Sequence, residues 1–466
     1  MAGQHTVEKI GGSSMSRFGE IMRNVIIAGR QGSALYNRIF VVSAYGGITN
    51  LLLENKKTGA PGVYGAFAEG NDGWRDGLEA VREKMLEFNS AFADIGLGQE
   101  AADRFVNERL AGIRDCLEDV QRIGSYGHFP KETYLAATRE LLSAVGEAHS
   151  AHNSAVILRA HGVNARFVDL TGWRDTELTG LDEAISAAFE GVDFSSEMPI
   201  VTGYVKYDEG IMTRFDRGYS EITFSKVAVL TQAREGIIHK EYHLSTGDPV
   251  LIGADRVQVI GATNFDIADQ LSDLDMEAIH SKASKEMELR DIPIRVMNAF
   301  DPTHPGTTIE RGYVSPDPRV EIICGRDDVI AIEVHDPEMV GEVGYDYRLL
   351  EHLRDAEISY IAKNTNANTI THFVRAKEAG LPGCVRSIEA AFPGASVTVS
   401  PVAIVSVIGT NMALPGFLSR AANALATEGI NVLGLGQAMR QVNMQFIVRR
   451  EDFEPAQTAL HREFVE

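Results

Sequence analysis

Through the first two-thirds of the chain, short apolar runs bounded by turn residues alternate with longer segments of helical periodicity. No other feature narrows the fold as much. Ile39–Ala44, Arg166–Leu170, Pro199–Val205, Gly236–His239 and Ile292–Met297 read as strands, and Trp74–Phe92, Ala101–Arg122, Glu132–His161 and Leu181–Phe189 as helices. Strands that alternate with helices imply a mostly parallel central sheet covered on both faces, an α/β/α sandwich. Ligands in such sheets bind beyond the carboxyl ends of the strands. The stretch from Asn55 to Gly73, rich in glycine and poor in aliphatics, reads as an exposed loop.

After Pro305-Gly306-Thr307 the texture changes. Eight short strand-like runs follow: Val320–Cys324, Val329–His335, Glu357–Ala362, Thr369–Val374, Ser396–Ser400, Val402–Ile408, Ile430–Leu435 and Met444–Arg449. Four helical segments interleave with them, Asp346–Arg354, Gly383–Ala391, Gly416–Thr427 and Glu454–Phe464. Eight strands and four helices make two βαββαβ (ferredoxin-like) units. The order leaves the second unit one strand short, and the orphan 320–324 run is available to complete it by interlacing. The expected divisions are therefore a catalytic domain over 1–315, one regulatory unit over 320–400 and a second over 401–466.

With 466 residues, two or three domains are expected at roughly 100–200 residues each. A net charge of −21 repels nucleic acid and anionic membranes, so neither is an expected partner. No apolar run approaches the ~18–20 residues of a membrane span. Met1–Gly12 has neither the basic nor the apolar stretch of a signal peptide, and the three cysteines (Cys116, Cys324, Cys384) lack paired spacing. Together these set an expectation of a cytoplasmic protein without disulfides. His149 and His152 sit three apart on an expected helix, but no further ligand spacing accompanies them, so no metal ligated by a protein set is expected.

The strongest local signal for chemistry is Lys9-Ile10-Gly11-Gly12-Ser13-Ser14, directly after the strand-like Thr6–Ile10. Paired glycines let backbone amides approach a phosphate, the following 16–30 segment reads as a helix, and a lysine adds the positive charge that phosphoryl transfer requires. The spacing is not that of a Walker loop. A second glycine turn, Tyr45-Gly46-Gly47-Ile48-Thr49-Asn50, follows the next strand, and in a parallel sheet both turns fall at the same edge as an anion cradle. Three charges that spacing alone reads equally as solvated surface groups would suit an amino-acid substrate, and of these Glu147 could pair with an α-ammonium group. Arg217 can fork onto an α-carboxylate, and Glu221 in the same loop can orient a lysine or a magnesium ion.

Read together, these segments resemble the aspartokinase family from about residue 5 onward. Lys9–Met15 is similar to the family's Lys-Phe-Gly-Gly-Thr-Ser-Val signature, and Val41–Leu52 to its second glycine segment. Gly146-Glu147 with Ser150 is similar to Ser-x-Gly-Glu-x-x-Ser, and Arg217-Gly218-Tyr219-Ser220-Glu221 to Arg-Gly-Gly-Ser-Asp. Pro415-Gly416 and Gly429-Ile430-Asn431-Val432 look like marks of paired ACT domains. The resemblance implies an amino-acid-kinase-like fold followed by two ACT-like units, with ATP and Mg2+ used to phosphorylate the side chain of L-aspartate. It implies that Lys9, Gly11, Gly12 and Ser13 hold the transferring phosphate, with Gly46 and Gly47 in the same cradle. It further implies that Thr49, Glu147, Arg217, Gly218 and Ser220 line the aspartate site, and that Lys9 and Glu221 are the catalytic pair.

One region departs from the family. Its nucleotide segment, approximately Thr-Asp-Val-Asp-Gly-Val-Tyr-Thr-Ala-Asp-Pro-Arg, corresponds here to 239–250, where Thr246, Asp248 and Pro249 survive. His239, Lys240 and Ser245 are the expected nucleotide contacts in that stretch. The family's usual lysine is replaced by Glu277, with Lys240 or Lys282 as substitutes. The wording of 216–225, 238–245 and 366–373 resembles the aspartokinases associated with making ectoine. ACT units imply at least a homodimer and an amino-acid effector, for which the 336–344 turn is the expected site. The competing readings are another amino-acid kinase, such as a glutamate kinase, and a non-catalytic ACT-type amino-acid sensor.

Overall fold

The computed structural model describes residues 3–56, 58–272, 274 and 279–466, and only the backbone of Arg217. The chain folds into two compact units, one formed by 1–243 with 279–311, the other by 244–278 with 312–466. The 244–278 segment thus groups with the C-terminal unit, whereas the sequence placed the whole of 1–315 in one domain.

Strands in chain order are β1 (Thr6–Ile10), β2 (Arg38–Val42), β3 (Ala165–Val168), β4 (Met198–Thr202), β5 (Glu235–Lys240), β6 (Ala262–Asn264), β7 (Ile294–Asn298) and β8 (Thr307–Glu310). All but β6 belong to the first unit, in the order β3-β4-β2-β1-β5-β7-β8. Every pairing from β3 to β7 is parallel, and β8 closes the row antiparallel. β2 and β4 are buried at every position, as expected of parallel strands covered on both faces. The chain builds outward from β1 to β2, β4 and β3 on one side, and to β5 and β7 on the other. The carboxyl end of β1, carrying Lys9 and the first glycine turn, therefore sits where the strand order reverses.

Two expectations change here. The helix read over 16–30 is a short α-turn, Phe18–Ile21, running into a π-helix, Met22–Ile26, so it presents no long regular helix. The loop read over 55–73 contains a helix, Val63–Ala68, whose Val63 and Phe67 are buried. Three aliphatic or aromatic residues at helical spacing were outweighed in the sequence by the surrounding glycines.

The second unit is built on β9 (Ile322–His335), β10 (Tyr360–Thr365), β11 (Thr369–Arg375), β12 (Ser396–Ile408), β13 (Gly434–Gln437) and β14 (Asn443–Arg449). They form one antiparallel sheet in the order β10-β11-β9-β12-β14-β13. The eight expected runs become six strands because two pairs fuse. The 320–324 and 329–335 runs make β9, and 396–400 and 402–408 make β12. β9 and β12 pair along their whole length, from Ile322 opposite Ile408 to His335 opposite Ser396, with a register shift between Val402 and Ile404. Two separate cores line one sheet: helices Tyr345–Asp355 and Leu381–Ala391 pack over one half, Phe417–Thr427 and Phe453–Phe464 over the other. In the turn after β9, Asp336 accepts hydrogen bonds from the Glu338 amide (2.9 Å) and the Tyr345 hydroxyl (2.7 Å). Both its carboxylate oxygens are committed within the turn, so Asp336 serves the local fold there.

Candidate active site

The two glycine turns meet. β1 and β2 are adjacent and parallel, and the Ser43 amide donates to the Ile10 carbonyl beyond the last paired residues (3.2 Å). Gly12 lies so close to the second turn that a Cβ there would stand 2.6 Å from the Ala44 carbonyl oxygen. Gly46 donates its amide to the Ser16 hydroxyl (2.8 Å), and Gly47 takes a left-handed φ of 88° to enter helix Ile48–Leu52. Backbone without side chains thus lines one edge of the sheet, as an anion cradle requires. Ser13 is exposed beside it; its neighbour Ser14 is buried and donates to Glu241 (2.8 Å). Thr49 stands half-buried on the first turn of helix 48–52.

Alternation along β1 sends Lys9 and Glu8 to opposite faces. Lys9 meets Glu221, on the first turn of helix Tyr219–Leu230, at 2.8 Å. The other Glu221 oxygen accepts the backbone amide of His280 (2.5 Å). Burial pushes the Glu221 carboxyl upward, but the charges of Lys9 and Lys240 and the two hydrogen bonds outweigh it and hold the group down at about 2. Glu221 is therefore ionised throughout the neutral range, and two lysines converge on it. Gly218, one turn before, has no room for a side chain: a Cβ would meet the His280 ring at 2.5 Å.

Beside this ion pair lies a carboxylate in the opposite condition. Glu147 sits within the long helix Lys131–Ala160, docked onto the second glycine turn by the Ser150 hydroxyl, which donates to the Ser43 carbonyl (2.8 Å). It is 1% exposed, and its Oε1 accepts the Ser220 hydroxyl (2.7 Å). Its Oε2 is buried with no hydrogen-bond partner. Burial raises the Glu147 carboxyl to about 8 against the pull of Ser220, the Lys9 charge, the Tyr204 backbone and the Tyr219 side chain. A buried carboxyl oxygen without a close donor is costly unless a ligand completes it. Glu147, Ser220, Lys9 and Glu221 occupy one place, at the carboxyl ends of β1, β2 and β4.

Other expected residues fall elsewhere. His239 is not brought to this cradle: it is buried on the Glu8 face, where its Nε2 lies 2.8 Å from Glu8. Its neighbour Lys240 points the other way, toward Glu221, as alternation along β5 demands. Lys282 lies over the Phe215 ring (5.3 Å). Ser245 belongs to the second unit, where its hydroxyl donates to the Gly247 carbonyl (2.8 Å), so the 239–250 segment is divided between the units at His243. The Arg217 side chain and Glu277 lie outside the described residues. His149 bonds Asn89 (2.7 Å) in a closed network with Asn153, and His152 stacks on Phe105. The sequence reading missed Ser14, His280 and the Glu8 cluster. Glu8 alone carried a signal, a charge in the middle of a buried strand.

A parallel sheet with two abutting glycine turns, a lysine–carboxylate pair and an uncompleted acidic socket defines a phosphoryl-transferring enzyme of the amino acid kinase family, whose model matches residues 4–298; an ACT domain matches residues 405–464. Within that family the chain belongs to the aspartate kinases. It is 48% identical over 464 residues to aspartate kinase Ask_Ect of Stutzerimonas stutzeri (strain A1501), covering 99% of this chain and 98% of the relative. It is 26% identical to the chloroplastic aspartokinase 2 of Arabidopsis thaliana, over 92% of this chain and 78% of that protein. In fold it is similar to E. coli aspartokinase III in complex with aspartate and ADP, with a TM-score of 0.76 at 20% identity, covering 99% of this chain and 100% of that one. The lysine- and aspartate-bound form of the same E. coli enzyme gives a TM-score of 0.75 at 20% identity, covering all of both chains.

Proposed function

We propose that this chain transfers the γ-phosphate of ATP to the side-chain carboxylate of L-aspartate, giving 4-phospho-L-aspartate, and that it belongs with the ectoine-associated subgroup. The observation that carries the assignment is Glu147, a buried carboxylate with one free oxygen next to the Lys9–Glu221 pair. An α-ammonium group supplies the charge and the donors that this oxygen lacks. Ser220 already bonds Glu147, and in this reading Thr49 and Arg217 complete the aspartate site, Arg217 by taking the α-carboxylate.

The substrate carboxylate is itself the nucleophile and is ionised at neutral pH, so no proton has to move in the transfer. Its oxygen forms a bond to the γ-phosphorus as the bond from that phosphorus to the β,γ-bridging oxygen breaks, and ADP leaves. Lys9 neutralises charge spreading over the γ-oxygens, and amides of the glycine turns share the load. Glu221 keeps Lys9 and Lys240 aimed at that point. Mg2+ fits as an ion held chiefly by the nucleotide's phosphates, with Glu221 the carboxylate at hand; when bound it neutralises phosphate charge. Holding both reactants in line supplies most of the acceleration, since no covalent enzyme intermediate is needed.

The ACT-like sheet supports a homodimer or higher assembly and control by an amino-acid effector. The E. coli enzyme of the same fold, described in a T-state complex with lysine and aspartate, supports that reading. The test is ADP release from Mg–ATP with L-aspartate, with L-glutamate and with no amino acid. Turnover that requires L-aspartate supports the assignment; equal turnover with L-glutamate identifies a different amino-acid kinase. Binding of aspartate without any turnover identifies a sensor.

A further inference from the structure

On the face of the sheet opposite Lys9 lies an open-mouthed cavity of about 770 Å³, lined by β1, β2, β5, β7 and the 22–37 segment. Its lining is unlike the rest of a chain whose net charge is −21. Four arginines, Arg23, Arg30, Arg38 and Arg234, border it against a single carboxylate, Glu8. Glu8 is already committed: Arg38 forks onto it (2.6 and 2.9 Å) and His239 bonds it (2.8 Å). Among the described residues, Arg23, Arg30 and Arg234 form no ion pair. The acids near them are engaged elsewhere, Glu20 with Arg17 (2.6 Å) and Glu235 with Arg295 (2.8 Å). Burial and the Arg38 charge lower the Arg30 pKa against the pull of Glu8, and the Arg30 guanidinium donates to the Val25 carbonyl (3.1 Å).

His239 belongs to the same wall. His239 is 4% exposed, its Nε2 is held by Glu8, and its Nδ1 is buried with no partner. Three guanidiniums without an acidic partner on one rim are suited to gripping an anion.

We infer that this cavity binds a small polyanion carrying phosphate or carboxylate oxygens, gripped by Arg23, Arg30 and Arg234, and that its occupancy is felt at the catalytic lysine. The volume is that of a metabolite site, larger than a single inorganic ion needs. The route to the active site is short. β1 presents Glu8 to the cavity and Lys9 to Glu221, and β5 presents His239 to the cavity and Lys240 to Glu221. An anion that draws on Arg38 or His239 alters their hold on Glu8. That shifts two adjacent strands whose next residues set the phosphate charge.

The test is calorimetric titration of the full chain with inorganic pyrophosphate and, separately, with citrate, under saturating Mg–ATP without aspartate. Saturating nucleotide keeps the catalytic cradle filled. The expected result is one site per chain for at least one probe, weakened tenfold or more by the double substitution R30A/R234A. Both arginines are exposed at the rim, so the variant should fold, and its turnover without added anion should stay within twofold of wild type. The bound probe should shift the aspartate KM or kcat of wild type but not of the variant. Pyrophosphate binding alone assigns a phosphate ligand and citrate binding alone a carboxylate one. No binding of either, binding unaltered in R30A/R234A, or displacement by ATP would overturn the site. Binding without a kinetic effect would overturn the coupling.

Discussion

Aspartate binding at neutral pH should expel a proton from Glu147. In the empty site burial holds this carboxyl at about 8, well above the ordinary 4.5, despite Ser220 and the Lys9 charge. At pH 7 roughly nine such groups in ten are therefore protonated. An ammonium against Oε2 favours the ionised form, so binding should release close to one proton. The sign follows for affinity: below about pH 8 the apparent Kd for aspartate should tighten about tenfold per pH unit, levelling above it. It follows for stability too. A carboxyl with a raised pKa binds more protons in the folded than in the unfolded state. The contribution of Glu147 to the empty protein is therefore full below pH 4.5 and falls away as pH rises toward 8, by something on the order of 5 kcal/mol. The assay is calorimetric titration of aspartate in two buffers of different ionisation heat at pH 7. The slope of observed heat against buffer heat counts the protons. Glu147→Gln should bring that count near zero and raise the aspartate KM by about thirtyfold or more, as for loss of one partner of a buried charge pair. A wild-type heat independent of buffer, or an unchanged proton count in Glu147→Gln, would refute the reasoning.

Lys9→Met should lower kcat by about 10²–10³-fold while changing the aspartate KM far less, since the lysine acts on charge that develops in the transition state; steady-state kinetics decide it. Gly12→Ala should destabilise the first unit by about 1–3 kcal/mol and sharply reduce activity, because its Cβ must displace the Ala44 carbonyl. Thermal unfolding and turnover measured together check this. In the second unit, Ser406 on β12 is fully buried with an unpaired hydroxyl, so Ser406→Ala should stabilise by about 1 kcal/mol, read as a raised unfolding midpoint.

Much of the first unit was legible because its signals are local. A buried parallel strand is mostly apolar, as β2 is after Arg38 and β4 is before Thr202, and a glycine pair after a strand marks close backbone approach. The meeting of the two turns followed from parallel pairing alone. Glu147 and Glu221 stood out only through the family resemblance, since an isolated acid on a helix looks the same in sequence whether solvated or buried. What separates them, one carboxyl raised to about 8 and one held at about 2, is set by neighbours 73 and 212 residues away. Period-two alternation along β5 separates two expected nucleotide contacts, sending Lys240 toward Glu221 and His239 to the Glu8 face. The fusion of β9 and of β12 escaped notice because Gly325 to Asp328 and Pro401 look like breaks. Each is carried through by cross-strand pairing, with the register shift near Val402 absorbing the mismatch. The arginines of the cavity beneath Glu8 have no shared sequence signature, being drawn from three separate stretches, 22–37, β2 and the turn before β5.

The central claim, that this site phosphorylates the side-chain carboxylate of aspartate, is tested most directly by trapping the product. The protein is incubated with Mg–ATP, L-aspartate and hydroxylamine, and the aspartyl hydroxamate is quantified against ADP. The account predicts hydroxamate and ADP in equal amounts, both dependent on aspartate and both lost in Lys9→Met. ADP without hydroxamate, or neither product from folded protein that binds aspartate, would contradict it.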